Sequence, residues 1–124
     1  MKKIVTDKAP GAIGPYSQAM VCGGLVYTSG QIAIIPESGE MTEKDIAAQT
    51  EQVMKNLGAV LEAAGSSYEK VVKTTCFLAD IKDFAVFNEI YGKYMTGKPA
   101  RSCVAAKDLP KGALVEVEAI AEVE

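Results

Sequence analysis

The sequence predicts an α+β fold in which a mixed β-sheet carries two helices on one face, in the order β-β-β-α-β-α-β-β. Three observations carry this expectation. Both ends of the chain are short β-prone runs separated by Gly- and Pro-rich turns. The stretch from Ile46 to Ala64 repeats its apolar residues at helical spacing, and a shorter helical pattern follows a long β-branched run. Strands and helices mixed in this order form a layered unit, with the second face of the sheet left free.

The first two strands are Ala19-Met20-Val21 and Leu25-Val26-Tyr27-Thr28-Ser29, which flank Cys22-Gly23-Gly24 and read as a hairpin. A third extended run, Ile32-Ala33-Ile34-Ile35, ends at the turn Pro36-Glu37-Ser38-Gly39-Glu40. Thr42 and Asp45 form a capping pattern ahead of a helix whose stripe is Ile46, Val53, Leu57, Val60, Leu61 and Ala64, stopped by Gly65. Val71 to Ala79 is rich in β-branched residues and reads as a central strand. Asp83 opens the shorter helix, with Phe84, Phe87, Tyr91 and Tyr94 on its apolar side and its end near Gly97 and Pro99. Arg101 to Ala106 returns to strand, and Leu109-Pro110-Lys111-Gly112 turns the chain into a final run from Ala113. There Val115, Val117, Ala119, Ala121 and Val123 alternate with Glu116, Glu118, Glu122 and Glu124, giving one dry face and one polar face. Leu114 and Ile120 interrupt the polar face and point to partial burial against a neighbour.

At 124 residues the chain makes one domain, 1–124. A formal charge of −3, with 13 scattered Lys and Arg residues, lacks the basic stripe of a nucleic-acid binder and disfavours a membrane-surface role. The apolar run after Met1-Lys2-Lys3 is too short for a signal peptide, and no segment approaches a membrane span. Cys22, Cys76 and Cys103 are odd in number and far apart, which suits reduced thiols and a cytoplasmic protein.

The chain contains no histidine. That excludes His-dependent nucleophile triads and most catalytic zinc sites, and leaves Arg, Glu, Tyr, Cys, Lys and backbone groups to carry any chemistry. Within Pro99-Ala100-Arg101-Ser102-Cys103-Val104, Arg101 offers a permanent cation and a planar donor fork matched to carboxylates. Glu116 on the last strand supplies an acid or base. Taken alone, Arg101 reads as a surface salt-bridging arginine and Glu116 as one of several glutamates on a solvated face.

Four blocks change that reading. Ile13-Gly14-Pro15-Tyr16-Ser17-Gln18-Ala19, Thr28-Ser29-Gly30-Gln31-Ile32, Pro99 to Val104, and Leu109-Pro110-Lys111-Gly112 through Val115 to Ala121 resemble, in order and spacing, the RidA (YjgF-type) reactive-intermediate deaminases. The resemblance runs from near Lys3 to near Glu122. It implies a chorismate-mutase-like domain assembled as a homotrimer, with the sheets forming a central barrel and a ligand cleft at each subunit interface. It also implies hydrolysis of enamines and imines such as 2-aminoacrylate and 2-iminobutyrate, released by pyridoxal-phosphate enzymes, to 2-keto acids and ammonia without cofactor or metal.

In that scheme Arg101 grips the substrate carboxylate and Glu116 orients the hydrolytic water. Tyr16, Ser29 with the Gly30 backbone, Asn88 and Cys103 fall at the other cleft positions, Cys103 as a lining residue because no histidine can activate it. The connection Met95-Thr96-Gly97-Lys98 is shorter than the family commonly shows. A second reading keeps the same clamp but makes the protein a non-catalytic regulator, which binds a small carboxylate and acts on a partner protein.

Overall fold

The computed structural model describes residues 1–123; Glu124, expected on the polar side of the last strand, lies outside the described residues. The elements are β1 (Lys2–Ile4), β2 (Ala19–Cys22), β3 (Leu25–Thr28), α1 (Ile46–Ala63), β4 (Val71–Leu78), α2 (Phe84–Tyr94), β5 (Ala100–Ala105) and β6 (Val115–Glu122). They form one sheet in the order β1-β2-β3-β6-β4-β5. Only β4 and β5 run parallel, joined by α2 as the crossover that parallel neighbours need. The fold is the expected α+β sheet with two helices on one face.

The order of strands and helices is the expected one, yet one of the first three strands is a different segment. Ile32–Ile35 is not a strand; β1 takes its place in the count, pairing Lys2 with Val21 and Ile4 with Ala19. The reason lies in α1. The buried Asn56 amide donates to the carbonyls of Ile32 (3.0 Å) and Ile34 (2.8 Å), while Thr42 N–H donates to Ala33 O and Ile35 N–H to Glu40 O. The segment's backbone is satisfied by a side chain and local turns, so it needs no ladder. Asn56→Ala would leave two carbonyls without their partner, and the expected cost is about 2–4 kcal/mol. A clear drop in the urea midpoint at unchanged slope checks this, and an unaltered midpoint would contradict it.

Other elements form for the expected reasons. Gly23 and Gly24 both have positive φ, +61° and +81°, which a two-residue hairpin turn of this hand requires. Asp45 is the N-cap of α1, its carboxylate accepting from Ala48 N–H at 2.8 Å. Gly65, at φ +83°, follows the helix end.

The core lies between helices and sheet. Val53, Met54, Leu57, Val60 and Leu61 of α1 and Phe87 of α2 are fully buried against Val26, Cys76, Leu78, Val115 and Val117. Each such large apolar side chain stabilises the fold by about 1.5–3 kcal/mol relative to exposure. Strand alternation then sends the intervening residues to the helix-free face. Phe77 and Thr75 of β4 stand there beside Glu116 and Glu118 of β6, and Tyr27 beside Ile120. Half-buried Ile120 and Phe77 and exposed Tyr27 make this face more apolar than a solvated sheet needs.

Candidate active site

Because Val115 and Val117 go under the helices, Glu116 emerges on the helix-free face near the start of β6. After β3 the chain leaves the ladder and rejoins it at Gln31, which exchanges backbone hydrogen bonds with Val117 at 2.8 and 3.1 Å. Gly30 is thereby pressed onto the Glu116 side chain. A β-carbon on Gly30 would overlap Oε2 of Glu116 and lie 2.8 Å from its Cδ, so the absence of a side chain there is what gives the carboxylate its place. Among the described residues the Gly30 N–H has no hydrogen-bond partner.

Ser29 is spent differently. Its N–H donates to Gln18 O (2.9 Å) and its hydroxyl donates to Ser17 O (2.6 Å). A carbonyl can only accept, so what Ser29 offers to a ligand is its hydroxyl lone pairs. Gln18, 4% exposed, accepts from Thr6 N–H at 2.7 Å and donates to the carbonyls of Thr6, Ala9 and Pro10. It ties down the segment that walls the site. Its place inside the Pro15-to-Ala19 block was visible in the sequence, but its role was not, because an amide's partners are fixed only by the fold.

These groups line a cleft of about 560 Å³ with Tyr16, Ile13, Ile32, Pro36, Pro110 and Lys111. Tyr16 is about half exposed where it lines this cleft. Burial pushes the Glu116 carboxyl above the usual carboxylate range, and the neighbouring Glu118 pushes it further.

Arg101 lies elsewhere. It pairs in register with Thr74 of β4, whose side chain is buried under α2 and shares a 2.7 Å hydrogen bond with the Tyr91 hydroxyl. Arg101 therefore projects on the helix side of the sheet, at the edge strand, while Glu116 projects on the other side. Its Nη1 donates to Asn88 Oδ1 at 2.6 Å, and the guanidinium sits 4.9 Å from the Tyr91 ring centroid and 5.4 Å from that of Phe84. Arg101, Asn88, Tyr91, Met95, Thr96, Lys98 and Pro99 line a second cleft of about 390 Å³ with Gly92.

One chain thus gathers Tyr16, Ser29, Gly30 and Glu116 in one cleft and Arg101 with Asn88 in another. Cys103 lines neither. Burial pushes its thiol up against the opposing pull of Arg101, and burial raises the adjacent Cys76 to about 12. Neither is poised as a thiolate near neutral pH. Among the described residues no group of three or more Cys, Asp or Glu side chains is placed to hold a metal ion, and no helix is long and apolar enough to cross a membrane.

Comparison with known proteins decides the family. The profile described as Endoribonuclease L-PSP matches residues 6–123. The human 2-iminobutanoate/2-iminopropanoate deaminase is 49% identical over 95% of this chain and 87% of its own. The chain belongs to the RidA family. Among the other RidA relatives, "Putative regulator AldR" of Lactococcus lactis is 52% identical over 99% of this chain and 98% of its own. The crystal structure of Escherichia coli TdcF with bound serine superposes with a TM-score of 0.95 at 41% identity, covering the whole of both chains. RidA relatives therefore carry more than one functional name, and small-molecule binding is seen in one of them.

Proposed function

We propose that this RidA-family chain hydrolyses reactive 2-imino acids and their enamine tautomers, such as 2-iminobutyrate and 2-aminoacrylate, to 2-keto acids and ammonia. The site is completed by a second copy in a homotrimer, one chain supplying Arg101 and its neighbour supplying Glu116. The observation that carries this is the separation of the two halves. A guanidinium positioned by Asn88 but without a carboxylate partner among the described residues lines one cleft, and a carboxylate held against Gly30 lines another. The apolar residues on the helix-free face give the copies a surface to share.

The chemistry follows from the residues. Arg101 holds the substrate carboxylate by charge-assisted hydrogen bonds, which fixes the adjacent C=N carbon. The Glu116 carboxylate takes a proton from a water as its oxygen attacks that carbon. The C=N electron pair moves to nitrogen, which receives that proton from Glu116 to give the neutral carbinolamine; Glu116 then takes the hydroxyl proton and passes it to the nitrogen as the C–N bond breaks, leaving the keto acid and ammonia. Ser29 accepts from the substrate N–H, the Gly30 N–H donates to the carbinolamine oxygen as charge shifts, and Tyr16 closes the mouth. The protein is cytoplasmic in this reading, and neither cofactor nor metal takes part in the step.

Release of keto acid from freshly generated 2-aminoacrylate tests the proposal, with a serine or threonine dehydratase as source. Acceleration by the purified trimer is expected, and a spontaneous rate in its presence would refute it. Gly30→Ala should keep the fold, since the clash falls on the end of a flexible side chain, but displace the Glu116 carboxylate. A loss of roughly tenfold to a hundredfold in kcat/KM is expected at a nearly unchanged melting temperature. Equal kcat/KM in the variant would show that the carboxylate's placement is immaterial.

The regulator reading draws on AldR's name and on the serine bound to TdcF. It differs at one point: such a protein binds carboxylates through Arg101 and does not accelerate ammonia release. The acidic balance and the lack of histidine weigh against the nuclease activity in the family's description.

A further inference from the structure

Lys98 stands beside Arg101 on the wall of the 390 Å³ cleft, in the short connection between α2 and β5. No acidic residue lines that cleft, and among the described residues neither cation has an ion-pair partner. In a chain with a net charge of −3, two unpaired cationic residues therefore border one small concavity, Arg101 half-buried and Lys98 exposed. One of them, Arg101, suffices for the single carboxylate of a 2-iminobutyrate. The second is held at a conformational cost: Lys98 has φ +52°, in the left-handed region that favours glycine. Backbone strain at a site-lining residue points to use of its side chain.

We propose that Lys98 is a specificity residue that receives a second carboxylate, so that the favoured ligands are 2-imino and 2-keto dicarboxylic acids of four or five carbons. This rests on the reading of Arg101 as a carboxylate clamp. Arg101 takes the carboxylate next to the reacting carbon and Lys98 the distal one. Thr96 and Asn88 add polar groups to the same wall, and Tyr91 and Met95 flank the methylene chain. An imine of this class comes from oxidation of an acidic amino acid at its α-amino group, and its hydrolysis yields a keto diacid.

Two readouts separate this proposal from the deaminase reading. The first is calorimetric binding of 2-oxoglutarate beside 2-oxobutyrate to the intact oligomer. Wild type should prefer the diacid by roughly tenfold, and Lys98→Met should abolish most of that preference. The second is hydrolysis of 2-iminosuccinate, made from D-aspartate by an aspartate oxidase, against 2-iminopropanoate made from D-alanine by an amino-acid oxidase. The ratio of the two kcat/KM values should fall about tenfold in Lys98→Met and in Lys98→Gly. Lys98→Gly should at the same time raise the melting temperature, because glycine removes the left-handed strain, so a loss of selectivity there is not a loss of fold. Diacid-selective binding without turnover would overturn the deaminase reading and leave the two-cation site standing. Equal affinity for mono- and diacid in the wild type, or a ratio unmoved in both variants, would overturn the proposal.

Discussion

Arg101→Ala is expected to lower kcat/KM for 2-aminoacrylate hydrolysis by about a hundredfold to a thousandfold, the equivalent of roughly 3–4 kcal/mol. In the proposed mechanism the guanidinium both recognises the carboxylate and sets the angle of the C=N carbon, so its loss removes orientation as well as charge. Little of the fold depends on it. Among the described residues Arg101 donates one side-chain hydrogen bond, to Asn88, and its cation–π contacts with Tyr91 and Phe84 lie at a half-exposed edge strand. The variant should therefore keep its secondary structure and its sedimentation behaviour. Arg101→Lys should recover only a small part of the loss, since an ammonium cannot reproduce the planar fork. Full activity in a folded Arg101→Ala protein would remove the clamp from the mechanism.

The second large effect is expected at Glu116. Glu116→Gln keeps the shape but cannot accept a proton from water, and kcat should fall by about a hundredfold or more. The pH dependence has a definite sign. Burial and Glu118 raise the Glu116 carboxyl above the usual value, and in the proposed mechanism the working form is the carboxylate. Wild-type activity should therefore be lost as pH falls through that raised value, and the residual activity of Glu116→Gln should lack this acid limb. Stability runs the other way: a carboxyl whose folded pKa is raised contributes most below its unfolded pKa, and that contribution is lost as pH rises through the folded value. Glu116→Gln should thus melt higher than wild type near neutral pH, with the difference closing in acid. An acid limb that persists unchanged in the variant would assign the titration to another group.

The sequence carried the helices, the hairpin and the last strands because those elements are marked by spacing, capping and glycine. It did not carry β1, which has one inward apolar residue between charges and solvent, nor the loop character of Ile32–Ile35. That segment has the composition of a strand and loses its ladder to the amide of Asn56, a residue more than twenty positions away. Site legibility followed the same line. The four blocks named the family and the residue types, and Gly30, Ser29, Tyr16 and Glu116 do share a cleft. That Arg101 and Glu116 point to opposite faces was implicit in the alternation of two strands. It becomes visible only when the β4 register is known, with Thr74 beside Arg101 and Phe77 beside Glu116.

The claim that two copies share each site is tested most directly by mixing two inactive chains. Arg101→Ala and Glu116→Gln are co-expressed with different tags, and oligomers carrying both are isolated and assayed for keto-acid release. If each site takes Arg101 from one chain and Glu116 from its neighbour, every mixed trimer has one restored site in three, and the isolated mixed population should recover about a third of wild-type activity. If one chain supplied both groups to its own site, every site would lack one of them, and mixed oligomers as inactive as the two parents would contradict the account.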